Sequence, residues 1–314
     1  MNSLKNRLLI FANDAASANV TMAYAYLNKS YFDEIIAFPI GVSDTIYKNF
    51  ISEHIRYHKP EFLPSDTIVT GTSGLNSNYE MNIIKKAKEN NVKRTITIVD
   101  TIQNFDMRFN LNDKIIESKF LADEIWVFEK NFTTHISAIQ QKILYKKDIY
   151  VEFLKVYYTN NIPIAKNPLI EKYQNGYLVV LTEYIYEFYG LKLGFTEYEI
   201  LKNILETIDK LNLDIPIFLK LHPKEHPNKF NILLRQYSHL NILKDTWNIQ
   251  ELIYNSKVVF GINSSVFKEC ILFKKPTYSI QINTLQVHQP ELLDVNSIIV
   301  KKNSLTKILK KYFT

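Results

Sequence analysis

Apolar residues in this chain fall into short continuous runs rich in Ile, Val, Leu and Phe, separated by longer stretches whose apolar positions recur three and four apart. Runs at 7–11, 34–38, 67–70, 95–99 and 124–128 predict strands. They are rich in β-branched and aromatic residues, the types that favour strands. Stretches at 20–28, 45–54 and 79–90 predict helices between them. Strand and helix in alternation build βαβ units, hence a parallel sheet with helices on both faces.

The alternation lapses over 155–176, where Asn160, Asn161, Pro163, Pro168, Asn175 and Gly176 cluster. These residue types favour turns and end regular elements. It then resumes with strands at 177–181, 215–221, 241–243, 257–260 and 276–280 and helices at 196–211, 229–237, 249–255 and 266–273, followed by an amphipathic helix at 304–312. The expected organisation is an N-terminal Rossmann-like domain (1–155), a linker (156–176), a second Rossmann-like domain (177–303) and a C-terminal helix (304–314) that returns to the first domain. Two doubly wound α/β domains of this kind are expected to face a central cleft, because open parallel sheets bind ligands at the carboxyl ends of their strands.

Composition narrows the class. With 46% hydrophobic and 22% charged residues among 314, the chain can bury two ordinary cores, and no apolar window is long enough for a membrane span. The apolar stretch after Lys5 and Arg7 stops at Asn13 and Asp14, too short for a signal peptide. The single cysteine, Cys270, cannot form an internal disulfide, which fits a reducing cytoplasm, and its place on the 266–273 helix suits a small buried residue. A net charge of +6 is spread thinly, which argues against nucleic acid as a partner. Lys301, Lys302, Lys307, Lys310 and Lys311 gather around the last helix, and a peripheral contact with the inner face of an anionic membrane is one expectation from them.

Candidate chemistry sits where strands end. Strand 215–221 contains Lys220 and delivers His222, with Pro223 forcing a turn. Strand 257–260 is followed by Gly261, then Asn263, Ser264 and Ser265 at the start of a helix that carries Glu269 one turn in. Backbone N–H groups, hydroxyls and an imidazole there suit the phosphate and ribose of a nucleotide. Equally, Ser-Ser before a helix serves as an N-cap and His-Pro as a turn. In the first half, Asn13, Asp14 and Ser17 follow the first strand, Thr72 and Ser73 the third, and Asp100, Asn104 and Arg108 the fourth, as an acceptor-binding set. Asp14 and Asp100 are the candidates for a catalytic base; Asp14 also suits the cap of a helix beginning near residue 18, and Arg108 suits either an anionic substrate or a structural ion pair. His-x-x-x-His spacing occurs at His54/His58 and at His222/His226, but no Cys/His cluster or Asp-x-Asp pair accompanies it, and neither a metal nor another cofactor is expected.

The motifs Leu221-His222-Pro223 and Asn263-Ser264-Ser265 resemble those of bacterial GT-B glycosyltransferases, the group that includes sialyltransferases, polysialyltransferases and teichoic-acid polyol-phosphate transferases. The first half, through 11–19, 70–73, Val99-Asp100, Asn104 and Arg108-Phe109, resembles a set of surface-polysaccharide proteins. The resemblance implies that His222, Ser264 and Ser265 hold the phosphate and ribose of a cytidine nucleotide, and that the chain is an inverting, metal-independent enzyme moving a nucleotide-activated sugar, such as a CMP-linked sialic-acid-like sugar, onto a glycan or glycolipid acceptor of the cell surface. A polyol-phosphate transferase, a sugar-nucleotide 2-epimerase and a non-catalytic GT-B module are the alternatives. The acidic tripeptide ending in Gly that carries the base in the sialyltransferase-like enzymes is missing, so the base comes from chemistry alone.

Overall fold

A computed structural model describes residues 5–73, 77–102, 105–111, 114–115, 117–237, 242–244, 248–290 and 292–314. The chain divides into two compact units, Met1–Tyr157 and Tyr158–Thr314.

Unit 1 runs β1 (Arg7–Ala12), α1 (Ala15–Leu27), β2 (Glu34–Pro39), α2 (Ser43–Ile51), β3 (Thr67–Thr70), α3 (Tyr79–Glu89), β4 (Arg94–Ile98), a short antiparallel pair β5 (Asn110–Leu111) and β6 (Lys114–Ile115), β7 (Glu124–Val127), α4 (Ser137–Gln140), β8 (Ile143–Tyr145) and α5 (Ile149–Asn160). Its main sheet is parallel in the order β2-β1-β3-β4-β7-β8. Leu8 to Ala12 are fully buried, as a central strand covered on both faces requires. On one face Leu9, Phe11, Phe38 and Ile68 pack against Ile83, Ile84 and Ala87 of α3.

Helix α1 begins at Ala15, earlier than the expected residue 20. Asp14 is its N-cap and accepts the Ser17 N–H at 2.9 Å. The small residues after β1 therefore form the first turn of α1, with Ala15 and Ala16 half-buried and Ser17 and Ala18 buried. Alanine carries the highest helix propensity, and an aspartate cap satisfies an amide that would otherwise lack a partner.

Unit 2 runs α6 (Pro168–Lys172), β9 (Leu178–Leu181), α7 (Ile185–Tyr189), α8 (Glu197–Lys210), β10 (Ile217–Lys220), α9 (Asn231–Gln236), β11 (Ile242–Lys244), α10 (Ile249–Tyr254), β12 (Val258–Gly261), α11 (Phe267–Leu272), β13 (Thr277–Ile280), β14 (Ile298–Ile299) and α12 (Lys302–Phe313). Its sheet is parallel, β11-β10-β9-β12-β13-β14. Alternate residues of β9 enter different cores. Leu178 and Val180 join Leu201, Leu205, Leu305 and Leu309, while Val179 and Leu181 join Leu252, Ile253 and Phe267.

Helix α12 spends its apolar face on this second core. Leu305 and Leu309 are fully buried beside α8, and Lys302 pairs with Glu206 of α8 at 2.6 Å. It belongs to unit 2, where its apolar stripe completes a sheet face that α8 covers only in part. Lys301, Lys302, Lys307, Lys310 and Lys311 stay exposed. Among the described residues no helix is long and apolar enough to cross a membrane.

Candidate functional site

In both sheets the strand order reverses beside the first strand of the unit, between β1 and β3 in unit 1 and between β9 and β12 in unit 2. Crossover connections leave in opposite directions there, so the carboxyl edge is open to a ligand at that point. Register sets which residues reach it. Leu181 lies opposite Lys220, and Val180 opposite Phe260, so Thr182 and Glu183, Leu221 and His222, and Ile262 and Asn263 share one edge.

Glu183 is the centre of that edge. Its Oε1 accepts the N–H of Asn263 at 2.5 Å and of Ile262 at 3.2 Å. Burial pushes its carboxyl up to about 7, against the lowering effect of those two N–H groups and with added repulsion from Glu225 and Glu197. The amides ahead of Ser264 and Ser265, expected to meet a phosphate, thus meet a side-chain carboxylate of the same unit.

His222 follows β10, and its backbone N–H donates to Glu225 Oε2 at 2.8 Å and to Thr182 Oγ1 at 3.3 Å. Its ring Nδ1 accepts the Lys224 N–H at 3.2 Å, which assigns a neutral imidazole's proton to Nε2. The ring lies 6.3 Å from that of Tyr184, with the planes at 29°. Pro223 is exposed beyond it, and the ammonium of Lys220 donates to the Leu221 carbonyl at 3.3 Å.

Behind His222 lies a charged cluster. The Glu225 side chain is fully buried and receives the Thr182 hydroxyl through a short hydrogen bond. Lys229 reaches Glu225 at 3.0 Å, Glu187 at 2.9 Å and the buried Glu197. Burial opposes the charge on Lys229, yet the three carboxylates outweigh it and hold its pKa above the usual lysine range. Burial also raises the Glu225 carboxyl, against its hydrogen bonds from Thr182 and Lys229.

Ser264 is half-buried and Ser265 exposed at the turn into α11, where the Val266 N–H donates to Ser264 Oγ at 3.3 Å. Glu269 is not at this edge. It is buried, and its Oε1 accepts from Gln250 Nε2 of α10 at 3.2 Å. Cys270 is fully buried on the same helix, and burial pushes its thiol up to about 12, a structural environment rather than a reactive one.

In unit 1 the edge is closed in a similar way by Glu80 of α3. Its Oε1 accepts the Asn13 N–H at 3.0 Å and its Oε2 the Ser73 hydroxyl at 2.5 Å. Burial raises its carboxyl against the hydrogen bond from Ser73. Ser17 is fully buried and its hydroxyl donates to the Thr72 carbonyl at 2.9 Å, which ties α1 to the turn after β3. One nitrogen of Arg108 reaches both Asp100 Oδ1 at 2.8 Å and Thr72 Oγ1 at 2.7 Å. Asn13, Asp14, Ser17, Thr72 and Ser73 are therefore one assembly, with Asp100 and Arg108 linked to it through Thr72. Asn104 lies outside the described residues.

Glu183, Glu225 and Lys229 carry no expected role from the motifs. A signal for Glu183 was present: Thr182-Glu183 directly succeeds a strand, the same placement that singled out His222 and Asn263.

No protein-family model matches the sequence, and no curated protein matches it significantly. Solved structures do match the fold over nearly the whole chain. A candidate UDP-N-acetylglucosamine 2-epimerase from Listeria monocytogenes superposes with a TM-score of 0.58 at 13% identity, covering 98% of this chain and 88% of its own. The UDP-GlcNAc 2-epimerase from Neisseria meningitidis, bound to UDP-GlcNAc, gives 0.52 at 13% identity over 97% and 90%. A glycosyltransferase from Rickettsia africae gives 0.51 at 12% identity over 98% and 88%. The chain has the two-domain Rossmann-like fold that GT-B glycosyltransferases and UDP-GlcNAc 2-epimerases share.

Proposed function

We propose that the chain is an enzyme acting on a nucleotide sugar, and that it transfers the sugar, with inversion and without a metal ion, to a surface-glycan acceptor. The observation that carries this reading is the convergence of His222, Glu183, Asn263 and Ser264 at the carboxyl edge of unit 2, where the strand order reverses. In this reading the His222 imidazole, the Lys220 ammonium, and Asn263 with the Ser264 and Ser265 hydroxyls hold the phosphate and ribose. Charge-assisted hydrogen bonds there would favour the nucleotide as it leaves. The Asn13, Asp14, Thr72 and Ser73 assembly, with Arg108 and Asp100, receives the acceptor, and Asp14 takes the proton from its hydroxyl. Asp14 also caps α1, its Oδ1 accepting the Ser17 N–H.

A second reading, 2-epimerisation of a UDP-sugar, is favoured by the fold match to the Listeria and Neisseria proteins and by a carboxyl at Glu183 that titrates near neutrality. One experiment separates the two. The protein is incubated with CMP-, UDP-, GDP- and ADP-sugars, with and without glycan acceptors, and products are resolved by chromatography. Transfer predicts free nucleotide whose release depends on acceptor and survives EDTA. Formation of a C2 epimer without acceptor would replace the transfer reading, and His222→Ala is expected to weaken donor binding ~10-fold or more.

A further inference from the structure

We propose that Glu183 competes with the donor's phosphate for the Ile262 and Asn263 amides, so that a nucleotide sugar binds unit 2 only once this carboxylate is displaced. The inference rests on the nucleotide-sugar reading and adds a device to it.

Three observations carry it. First, two consecutive N–H groups of the loop after β12 converge on one carboxylate oxygen, at 3.2 and 2.5 Å. Consecutive amides converging in this way form a receptor for an anion. Second, the loop is held from behind without Glu183. The Ile262 carbonyl accepts the Ser279 hydroxyl at 2.5 Å, and Gln281 Nε2 donates to Ser279 Oγ at 2.8 Å. Gln281 is itself fixed by exchanging hydrogen bonds with the backbone of His288, at 2.6 and 2.8 Å, and Ser279 and Gln281 are both fully buried. The orientation of the amides is thus set by β13 and the segment from Gln281 to His288, and the receptor remains when its present occupant leaves. Third, the occupant is poorly placed as an anion. Glu183 is repelled by Glu225 from the loop after β10 and by Glu197 from the start of α8, and the nearby Lys229 is shared among Glu225, Glu197 and Glu187; the His222 and Tyr184 rings lie 6.3 Å apart at the same edge.

The carboxyl of Glu183 titrates near neutrality, so displacement is coupled to uptake of one proton. The proton comes from solvent and rests on the Glu183 carboxyl, and no covalent bond to the donor changes. Binding then weakens as pH rises, because the competent form is the protonated fraction. For a group titrating at about 7, that fraction falls roughly tenfold between pH 6 and pH 8.

The test is titration calorimetry of the parent and Glu183→Gln with UDP-N-acetylglucosamine and CMP-N-acetylneuraminate. Their phosphates are diesters and keep the same charge across pH 6–8. The parent is expected to bind ~10-fold more weakly at pH 8 than at pH 6 and to take up close to one proton at pH 8, read from the dependence of enthalpy on buffer. Glu183→Gln is expected to bind at pH 8 about as the parent does at pH 6. His222 is common to both proteins, so the comparison isolates the change at Glu183. The same pH dependence in parent and variant, or weaker binding by the variant at pH 8, would overturn the proposal while leaving the nucleotide reading intact. Should the variant not fold, proton uptake by the parent decides, and a value near zero at pH 8 overturns it. Failure of either protein to bind any nucleotide sugar at either pH would remove the nucleotide reading and this inference together.

Discussion

A Cβ built on Gly71 would stand 2.3 Å from the Oγ of Ser17 and 2.6 Å from its Cα. The turn after β3 therefore lies directly on the first turn of α1, and the Ser17 hydroxyl donates to the Thr72 carbonyl across the same contact. Because the clash includes backbone, no rotamer change relieves it. Gly71→Ala is expected to destabilise unit 1 by about 3 kcal/mol, measured by urea unfolding, where overpacking a close contact typically costs 1–3 kcal/mol and occasionally more. A loss below half a kcal/mol would mean that the turn can lift away from α1.

Asp14 separates capping from catalysis. Asp14→Asn keeps an oxygen for the Ser17 N–H but cannot take a proton, so a base should lose ~10²- to 10⁴-fold in turnover with little change in melting temperature. Asp14→Ala should in addition cost about 1 kcal/mol of stability as the cap is lost. Near-normal turnover in Asp14→Asn, with collapse in Asp100→Asn, would move the base to the end of β4. The Asp100 variant is expected to lose stability too, because it breaks the ion pair with Arg108.

Lys229 is the counter-charge for Glu187, Glu197 and Glu225, and the last two side chains are 1% and 0% exposed. Lys229→Met is expected to cost on the order of 3–5 kcal/mol at neutral pH, since removing one partner strands buried carboxylates. Adding Glu225→Gln should recover part of that loss. A single variant as stable as the parent in urea would show that water already serves these carboxylates.

Glu183 also predicts how stability varies with pH. Its folded pKa, about 7, lies above the usual 4.5, so the protonated form is the one that folding favours. The stability it contributes is fully present below about 4.5 and is lost as pH rises to about 7. Between those limits the parent should lose on the order of 3 kcal/mol relative to Glu183→Gln, from a shift of about two and a half units at 1.36 kcal/mol each. The measurement is the difference in unfolding free energy between the two proteins at a series of pH values. A flat difference would place the Glu183 carboxyl in ordinary contact with water.

Local pattern was enough for the elements. The strands at 7–11, 34–38 and 67–70 and at 257–260 and 276–280 lie within a residue of β1, β2, β3, β12 and β13, because consecutive apolar β-branched residues and turn-forming boundaries act over neighbours in the chain. The same logic put His222 and Asn263 at strand ends, and the two-domain Rossmann-like fold came from the alternation. The start of α1 was missed, since alanines carry little hydrophobic periodicity and only the Asp14 cap marks the helix.

Tertiary structure alone decided which distant polar groups meet. Glu183 and Asn263 are 80 residues apart, and they touch because β9 and β12 are neighbours in the sheet. Nothing local in either segment encodes that pairing. The same holds for Lys229 with Glu197, for Glu80 with Asn13, and for α12 against α8. A buried carboxylate costs free energy unless donors surround it, and those donors come from strands and loops that only the sheet order brings together. The sequence alone thus determined the scaffold and the edge at which chemistry is expected, while the packing of one strand beside another decided which carboxylates occupy that edge and in what state of charge.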